Sequence, residues 1–402
     1  MPRIAALRRR RYRSHEGRHR LWPILVVLPQ SFAVAVAGLA GLTLVARAWL
    51  HYPALPHPHY LSVHDWIGVL QLVFASVAGA GALVALIVAY RRQRIAEADS
   101  AHDRIRVFNE RFIAIAAQLG DDQAAVRLAG IHAMGGLADD WEDNRQTVVD
   151  VLCAYLRMPY EPDAGARNRA ADRLEFLAHQ QVRHTAIRII AAHLRRGANV
   201  SWRGLNFDFT AVHFDGGDFT GAVFSGGRVS FESTVFSGGR VSFEGVEFSG
   251  ASVTFDQARF SGGEVSFGGA EFSHGRVSFE GAEFSGGKVD FGSAKFSDGR
   301  FSDATVSFTR AKFSGGRVNF EFAKFSWDVN FIGAKFSGGE VGFRGAEFSR
   351  GRMNFALAEF SGGTVDLAQS GSVSRFDFRF DFEGTPPKGL YLPQHRRSGA
   401  PN

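Results

Sequence analysis

Cysteine is almost absent from this sequence. Cys153 is the single cysteine among 402 residues, so the chain cannot form an internal disulfide. This excludes the disulfide-stapled scaffolds of small secreted proteins and fits a reducing compartment.

Most signatures of catalysis are also missing. The sequence contains no Gly-x-Ser-x-Gly and no Gly-x-x-x-x-Gly-Lys, the motifs that position a nucleophile or cradle a phosphate. The zinc-binding spacing His-Glu-x-x-His occurs once, at 15–19 in the arginine-rich segment 1–20. The many serines recur in a repeat, which fits a structural corner better than a unique nucleophile. We therefore expect a protein that is not an enzyme, and we assign no catalytic, cofactor-binding or metal-binding residue.

Histidines are the remaining candidates for metal ligands. One group lies in the loop 51–65, where no cysteine and no carboxylate beyond Asp65 completes a site. Its members are His51, His57, His59 and His64. We expect this loop to be short and solvated. We expect the histidines of the later helices to be ordinary helix residues; these are His132, His179, His184 and His193.

Charge is absent from two long apolar runs. Residues 21–46 form an uncharged run of about 26 residues, and residues 66–90 form one of 25. Each is long enough to cross the ~30 Å hydrocarbon core of a bilayer, and the first is too long for a signal peptide. We predict transmembrane helices over 21–50 and 66–90, joined by the external loop.

The arginines predict how these spans are oriented. Eight arginines and one glutamate lie in 1–20, and Arg91, Arg92 and Arg94 follow the second span, whereas the loop has no Lys or Arg. The excess of positive charge marks the cytoplasmic side, so both termini are expected in the cytoplasm. The predicted location is the plasma membrane of a bacterium.

Residues 91–197 carry the apolar spacing of helices. One helix is predicted to end at Gly120, a second to be capped by Asp121 or Asp122, and a third to open at Asp143 or Asn144. A last helix is predicted over about 181–196. We expect this small helical domain to cover the first edge of the structure that follows it.

A regular series of phenylalanines follows the helices. Their spacing alternates between seven and five residues, which gives a period of twelve. The series begins Phe224, Phe231, Phe236, Phe243, Phe248, Phe255, Phe260, Phe267, Phe272, Phe279, Phe284, Phe291, Phe296. Val and Phe lie two apart with a polar residue between them, which is strand alternation. A short, exact period of this kind predicts a β-solenoid with Phe inside, charge outside and Gly-Gly at the corners.

Two segments show which known family the repeat resembles. Phe-Thr-Gly-Ala-Val-Phe at 219–224 and Ala-Glu-Phe-Ser-Gly at 282–286 resemble the pentapeptide-repeat family, although alternate steps here are lengthened to seven. The helical segment 118–132 resembles that of membrane-tethered members. The resemblance implies a right-handed quadrilateral β-helix, with about 24 residues in each of roughly seven coils.

Irregular steps interrupt this period. An extra five-residue step lies between Phe291 and Phe308, and Trp327-Asp328 stands where Gly-Gly is expected, which predicts a distorted corner. The alternation of Phe and charge over 375–382 predicts a closing strand or a dimer edge. The solenoid is thus assigned to 198–382 and a flexible tail to 383–402.

Three function classes remain after these exclusions. We favour a membrane-tethered protein-interaction scaffold that binds an unidentified cytoplasmic protein. A DNA-mimicking modulator of gyrase or topoisomerase is the alternative suggested by the family, and a transport or sensing component is the third. The solenoid has a net charge near −5 with both signs interspersed, for example Arg240 near Glu244 and Arg276 near Glu280. This weak field argues against a mimic, and nucleic acid is not expected as a partner.

Overall fold

The computed structural model describes residues 63–160, 170–250, 252–273, 276–296, 306–349, 351–371, 376–380 and 385–393, with scattered positions between 30 and 48. Two compact units divide the chain, Met1–Arg106 and Val107–Asn402. Most of the predicted first span and of the external loop lies outside the described residues.

The first described helix, α1, covers Val63–Leu119. It contains the predicted span 66–90 and continues without interruption to Leu119, where the sequence predicted a helix end. It is the one helix in the described part of the chain that is long and apolar enough to cross a membrane by length and composition. Tyr90 and Arg94 lie just beyond its apolar part, and Nε of Arg94 donates to the Tyr90 hydroxyl at 3.0 Å.

Three further α-helices form the helical cap, which we define as residues 107–202. They are α2 (Ala124–Asp140), α3 (Arg145–Arg157) and α4 (Ala170–Leu194), with a 3-10 turn over Glu142–Asn144. Asn144 precedes α3 as predicted. The prediction for α2 is wrong by a residue or two, because Gln123 takes the N-cap position and Asp121 accepts a hydrogen bond from its amide. α4 begins eleven residues earlier than predicted, at Ala170.

The repeat folds into short strands that belong to four sheets, and the described strand pairs within each are parallel. Sheet 1 consists of β1 (Phe207–Asp208), β5 (Arg228–Ser230), β9 (Ser252–Thr254), β13 (Val277–Ser278), β17 (Val306–Ser307), β21 (Val329–Asn330), β25 (Gly351–Asn354) and β28 (Phe376–Arg379). Sheet 2 consists of β2 (His213–Phe214), β6 (Val235–Phe236), β10 (Arg259–Phe260), β14 (Glu283–Phe284), β18 (Lys312–Phe313), β22 (Lys335–Phe336) and β26 (Glu359–Phe360).

The other two sheets follow the same order. Sheet 3 consists of β3 (Gly217–Asp218), β7 (Arg240–Ser242), β11 (Glu264–Ser266), β15 (Lys288–Asp290), β19 (Arg317–Asn319), β23 (Glu340–Gly342), β27 (Thr364–Asp366) and β29 (Leu390–Tyr391). Sheet 4 consists of β4 (Val223–Ser225), β8 (Glu247–Ser249), β12 (Glu271–Ser273), β16 (Lys295–Phe296), β20 (Lys324–Phe325) and β24 (Glu347–Phe348). The result is a parallel β-solenoid of about seven turns, as the period predicted.

The pairing register gives the length of each coil. Phe248 pairs with Phe272, and Phe272 with Phe296, so one coil advances by 24 residues, as predicted. The next pair, Phe296 with Phe325, advances by 29. The other three sheets make the same long step in this coil. The extra five-residue step therefore occupies a connection and adds no side to the coil.

Four ladders of Phe rings fill the interior. Rings of successive coils stack nearly parallel, for example Phe231 on Phe255 with centroids 4.7 Å apart and Phe236 on Phe260 at 4.8 Å. Phe243 and Phe255 of different ladders meet edge to face. The ladder rings from Phe209 to Phe355 are at most 4% exposed. Burying one such ring contributes about 2–3 kcal/mol, so the ladders dominate the stability of the solenoid.

Corners of two kinds join the sheets. At the Gly-Gly corners 262–263, 286–287 and 315–316 the second glycine has a positive φ, as at Gly263 with +68°, and the first lies against the previous coil. A Cβ on Gly262 would lie 2.5 Å from the carbonyl oxygen of Ser237. The other corners were not predicted. They place one residue at positive φ, which is glycine at some corners, such as Gly333 and Gly345, and another residue elsewhere. The non-glycine residues have φ of +55° to +58° and are Ala211, Ser233, Gln257, Ser293, Arg310, Phe322 and Leu357.

The polar residue between Val and the following Phe or Leu explains how many of these second corners form. Its side chain accepts a hydrogen bond from the amide two residues later, as Ser242 does from Glu244, Asn319 from Glu321 and Asp366 from Ala368. Ser, Thr, Asn and Asp favour such turns for this reason. The alternation Val-polar-Phe thus encodes a turn as well as a strand.

The last coil contains two added strands. β28 pairs with β25 and places Phe380 on Phe355, with ring centroids 5.2 Å apart, while Asp377 and Arg379 are exposed. The prediction of a closing strand is therefore confirmed. Within the segment assigned to the flexible tail, Leu390 is buried and β29 pairs with β27, which corrects that assignment.

Candidate interaction surfaces

The helical cap lies on the first coil, as the sequence predicted. Gln146 in α3 forms hydrogen bonds with both backbone groups of Asn206, and Arg157 forms an ion pair with Asp208. From α4, Nη2 of Arg183 donates to the carbonyl of His213 at 2.8 Å. These bonds satisfy polar groups at the edge of the first coil.

Asp215 is the centre of this junction. Its carboxylate accepts hydrogen bonds from the Tyr160 hydroxyl at 2.6 Å and from Nε2 of Gln180 at 2.8 Å, and it lies 3.0 Å from Nε2 of His184. The Asp215 side chain is only 8% exposed. Burial alone would raise the pKa of Asp215, but the bonds from His184, Tyr160 and Gln180 outweigh it and hold the pKa below its usual value.

A second histidine-aspartate contact lies inside the cap. Nε2 of His193 is 3.1 Å from one carboxylate oxygen of Asp139, and the Trp202 indole donates to the other at 3.1 Å. The His193 ring also stacks on Trp202, with centroids 4.1 Å apart. His184 and His193 thus hold elements together. Within the described ranges, no group of three or more His, Cys, Asp or Glu side chains is placed to hold a metal ion.

The outer faces of the solenoid carry charges that pair between neighbouring coils. Nζ of Lys295 lies 2.6 Å from Glu271 one coil earlier, and Lys312 lies 2.6 Å from Glu283. Further pairs are Lys288–Glu264, Arg310–Glu280, Arg317–Glu340, Lys324–Glu347 and Lys335–Glu359. The predicted contact between Arg240 and Glu244 is present as well. Such exposed pairs add little stability each, but they cancel the surface field at a distance.

Two exposed apolar side chains interrupt this charged surface. Phe322 is 55% exposed and Leu357 is 74% exposed, and both have φ of +58°. Phe322 lies over the next corner of its column, because a Cβ on Gly345 would be 2.5 Å from the Phe322 ring. A bulky residue rarely adopts positive φ, since its Cβ then crowds the backbone. Both the exposure of these two apolar side chains and their positive φ are unfavourable for folding.

Two clefts lie in the second unit. One, of about 760 Å³, is lined by His184, Arg188, Asp215, Arg240 and Glu244, where α4 meets the first coils. The other, of about 510 Å³, lies within the cap and is lined by residues of all four helices.

Cys153 lies outside both clefts. It is buried in α3, and burial raises the pKa of its thiol to about 12. A thiol with that pKa stays protonated at neutral pH and is a poor nucleophile.

The comparisons with known proteins do not identify a family. No family model matches the chain, and searches of curated proteins and of solved structures also find no match. The fold itself, a parallel β-solenoid in which a Phe recurs at regular short intervals, is consistent with pentapeptide repeats.

Sequence reasoning missed the junction at Asp215. The sequence does contain a signal, because His213-Phe-Asp215-Gly-Gly places an aspartate where later coils have serine. Its partners lie 31 to 55 residues away, however, so their convergence depends on how the cap packs on the coil.

Proposed function

We propose that this protein is a membrane-tethered scaffold of the pentapeptide-repeat type, without catalytic activity, that binds a protein partner on the cytoplasmic side of a bacterial plasma membrane. The solenoid is proposed to be a right-handed quadrilateral β-helix, because its strands pair at every fourth position in four sheets. The tether is proposed to be a pair of membrane spans that consists of 21–50 and the apolar part of α1.

The main evidence for a protein partner is the exposure of Phe322 and Leu357. A corner needs only a residue that tolerates positive φ, and Gly333 and Gly345 fill neighbouring corners. A large exposed apolar side chain there reduces stability and solubility, so its presence is best explained by a contact with another protein. The surrounding ion pairs provide the polar rim that protein interfaces commonly have.

The experiment compares two variants of the full chain in a cross-linking capture from cells. In the test variant, Phe322→Asn and Leu357→Asn keep residues that tolerate positive φ but remove the apolar side chains. In the control variant, Gln257→Asn changes a polar corner with φ of +57°. We expect the test variant to remain folded and to lose a partner that the unaltered chain and the control retain. Equal capture by all three chains would contradict the proposal.

The proposed orientation has its own test. The arginines of 1–20 and of 91–94 favour a cytoplasmic position for both termini, with residues 51–65 facing outward. A reporter that is active only in the periplasm is expected to work when inserted near Pro56 and to stay silent when fused after Asn402. The opposite pattern would overturn the orientation.

Two alternatives concern the partner. A DNA mimic needs uncompensated carboxylates, and the pairing of Glu271 and Glu283 with lysines of the next coil disfavours it. A second copy of this chain, docked at the C-terminal edge of the solenoid, is the alternative to a different protein. Light scattering of the purified full chain distinguishes them, because only a homodimer doubles the mass in the absence of other proteins.

A further inference from the structure

The corners that join sheet 3 to sheet 4 lie one above another along the solenoid, and we call this set the corner column. Its residues at positive φ are, in chain order, Gly221, Gly245, Gly269, Ser293, Phe322 and Gly345. Phe322 is thus the one large side chain in a column of glycine and serine. Leu357, by contrast, follows a strand of sheet 1 and lies at a corner between sheets 1 and 2.

The glycines before Phe322 leave an open surface. A Cβ on Gly269 would meet no atom of the described residues within 4 Å, and the same is true of Gly245. The coil between Gly269 and Phe322 has Gly292 and Ser293 at this corner, so its backbone also lies near the surface. The column therefore has an exposed aromatic ring two coils away from a glycine surface that an aromatic ring fits.

Two charged residues of the corner column have opposite signs. Glu244 lies two coils before Ser293, and Arg344 lies two coils after it. Their side chains are 41% and 73% exposed. Glu244 is paired with Arg240 of its own coil, and Nε of Arg344 is 3.8 Å from Oε1 of Glu321, which is long for an ion pair. Both side chains are therefore able to contact a neighbouring molecule.

The strands of sheet 4 beside the column repeat this pattern. Glu271 begins its strand one coil before Lys295, and Lys324 begins its strand one coil after it. Lys295 and Ser293 belong to the same coil. The arrangement of charge and the arrangement of shape thus have a common centre, which is the coil of Ser293.

A second copy of the chain fits this pattern when it runs antiparallel. A two-fold axis at the coil of Ser293, perpendicular to the solenoid, reverses the order of the coils in the second copy. Phe322 of each copy then lies over Gly269 of the other. Ser293 of the two copies lies at the axis, where small residues permit a close approach.

The charges favour this direction over a parallel one. In the antiparallel pair Arg344 lies opposite Glu244 and Lys324 lies opposite Glu271, so each contact joins a base to an acid. In a parallel pair every coil meets its own counterpart, which places Arg344 against Arg344 and Glu244 against Glu244. Like charges at such contacts suppress the wrong arrangement.

A few like charges also approach each other in the antiparallel pair. They are Lys295 with its counterpart and Glu247 with Glu347. Each is already paired within its own chain, as Lys295–Glu271, Glu247–Arg196 and Glu347–Lys324. These contacts are therefore neutral.

We infer that the corner column is a self-association surface, at which a second copy of this chain docks antiparallel with Phe322 of each copy over Gly269 of the other. The inference deepens the proposed function and rests on it for the role of Phe322 as an interface residue. Leu357 lies at a different corner, so it stays available to a different protein.

The first test measures the molar mass of the purified full chain in detergent by light scattering, and we expect a dimer. Phe322→Asn removes the ring, and Gly269→Asn fills the surface that receives it. Asn tolerates positive φ, and each variant is expected to raise the dimer dissociation constant at least about tenfold. The control, Gly281→Asn, makes the same change at φ of +66° between sheets 1 and 2 and is expected to leave the constant unaltered. A monomeric unaltered chain, or a dimer that resists both test variants, overturns the inference.

The second test determines the direction by cross-linking. Cys153 is buried, so a cysteine introduced at the surface is the reactive one. We expect a short bis-maleimide to join Glu244→Cys chains to Arg344→Cys chains in a mixture in which one of the two carries an affinity tag. Each variant alone is expected to give much less product, because identical positions lie about 19 Å apart along the antiparallel pair, four coils at ~4.8 Å. As much product from either variant alone as from the mixture overturns the inference.

The results also separate this inference from the proposed function. A monomeric chain that loses a captured protein when Phe322 and Leu357 are replaced overturns the inference and supports the proposed function. A dimer of the expected geometry from which no other protein is captured supports the inference and contradicts the capture prediction.

Discussion

Nε2 of His184 lies 3.0 Å from Oδ1 of Asp215, which joins α4 to the first coil of the solenoid. The hydroxyl of Tyr160 and the amide of Gln180 reach the other oxygen of the same carboxylate. One side chain of the repeat is thus held by three side chains of the helical cap. This arrangement fixes the cap on the edge of the first coil, where backbone groups would otherwise lack partners.

Replacing Asp215 is therefore expected to destabilise the junction. Asp215→Asn removes the charge and replaces one acceptor oxygen by a donor, which leaves Tyr160 or His184 unsatisfied. We expect the free energy of unfolding to fall by about 2–4 kcal/mol, as for other buried hydrogen-bonded groups. The matched control is Asp366→Asn, because Asn319 already fills the equivalent place in sheet 3. The thermal unfolding of both variants is compared with that of the unaltered chain. A control variant that is destabilised as much as Asp215→Asn would contradict the predicted role of Asp215.

The same carboxylate predicts a dependence on pH. The pKa of Asp215 is lowered in the folded state, so its stabilisation is present above the unfolded pKa of about 3.9 and is lost as pH falls through the folded value. We expect the unaltered chain to exceed Asp215→Asn in unfolding midpoint at pH 7. The difference is expected to shrink below about pH 4. A difference that stays constant down to pH 2.5 would show that Asp215 does not act through its charge.

Glycine corners supply a test of how closely the coils approach. A Cβ on Gly262 would lie 2.5 Å from the carbonyl oxygen of Ser237, whereas a Cβ on Gly238 would meet no atom of the described residues within 4 Å. Neither glycine has a positive φ. We expect Gly262→Ala to lose about 1–3 kcal/mol through steric overlap. Gly238→Ala is expected to be neutral or to gain up to about 1 kcal/mol. Equal unfolding midpoints would contradict the stacking at this corner.

Deleting one coil tests the register. Phe248 and Phe272 occupy equivalent places, so removal of 248–271 rejoins equivalent corners. We expect a folded, shorter solenoid with a modest loss of stability, because each coil contacts only its neighbours. Removal of 248–253 shifts inward residues outward and is expected to abolish the cooperative thermal transition. Similar unfolding curves for the two deletions would show that 24 residues are not the unit.

Charge pairing predicts the outcome of a gyrase assay. Lys295 and Lys312 neutralise Glu271 and Glu283, so the solenoid presents a weak field to an enzyme that binds DNA. We expect the purified chain not to inhibit supercoiling at micromolar concentration. A pair of reversed charges, Lys295→Glu with Lys312→Glu, tests whether added negative charge creates inhibition. Potent, salt-sensitive inhibition by the unaltered chain would favour the DNA mimic.

The features that could be predicted from the sequence are those that depend on local backbone geometry and side-chain pattern. Alternation of Val and Phe over a period of twelve fixed which side chains face inward, because side chains alternate across a strand. The coil of 24 residues was predicted from the resemblance to pentapeptide repeats, and the end of α1 at Leu119 from Gly120, which interrupts a helix.

Only the tertiary structure decided the features that depend on contacts between coils or between helix and coil. The corner conformation of Phe322, the register that leaves the extra step before Phe308 outside the paired strands, and the strand at Leu390–Tyr391 follow from stacking on the neighbouring coil. The junction at Asp215 depends on side chains that are distant in sequence and meet only when α4 packs on the first coil. Periodicity specifies the inside and outside of each coil, whereas packing selects which polar groups meet at its edges.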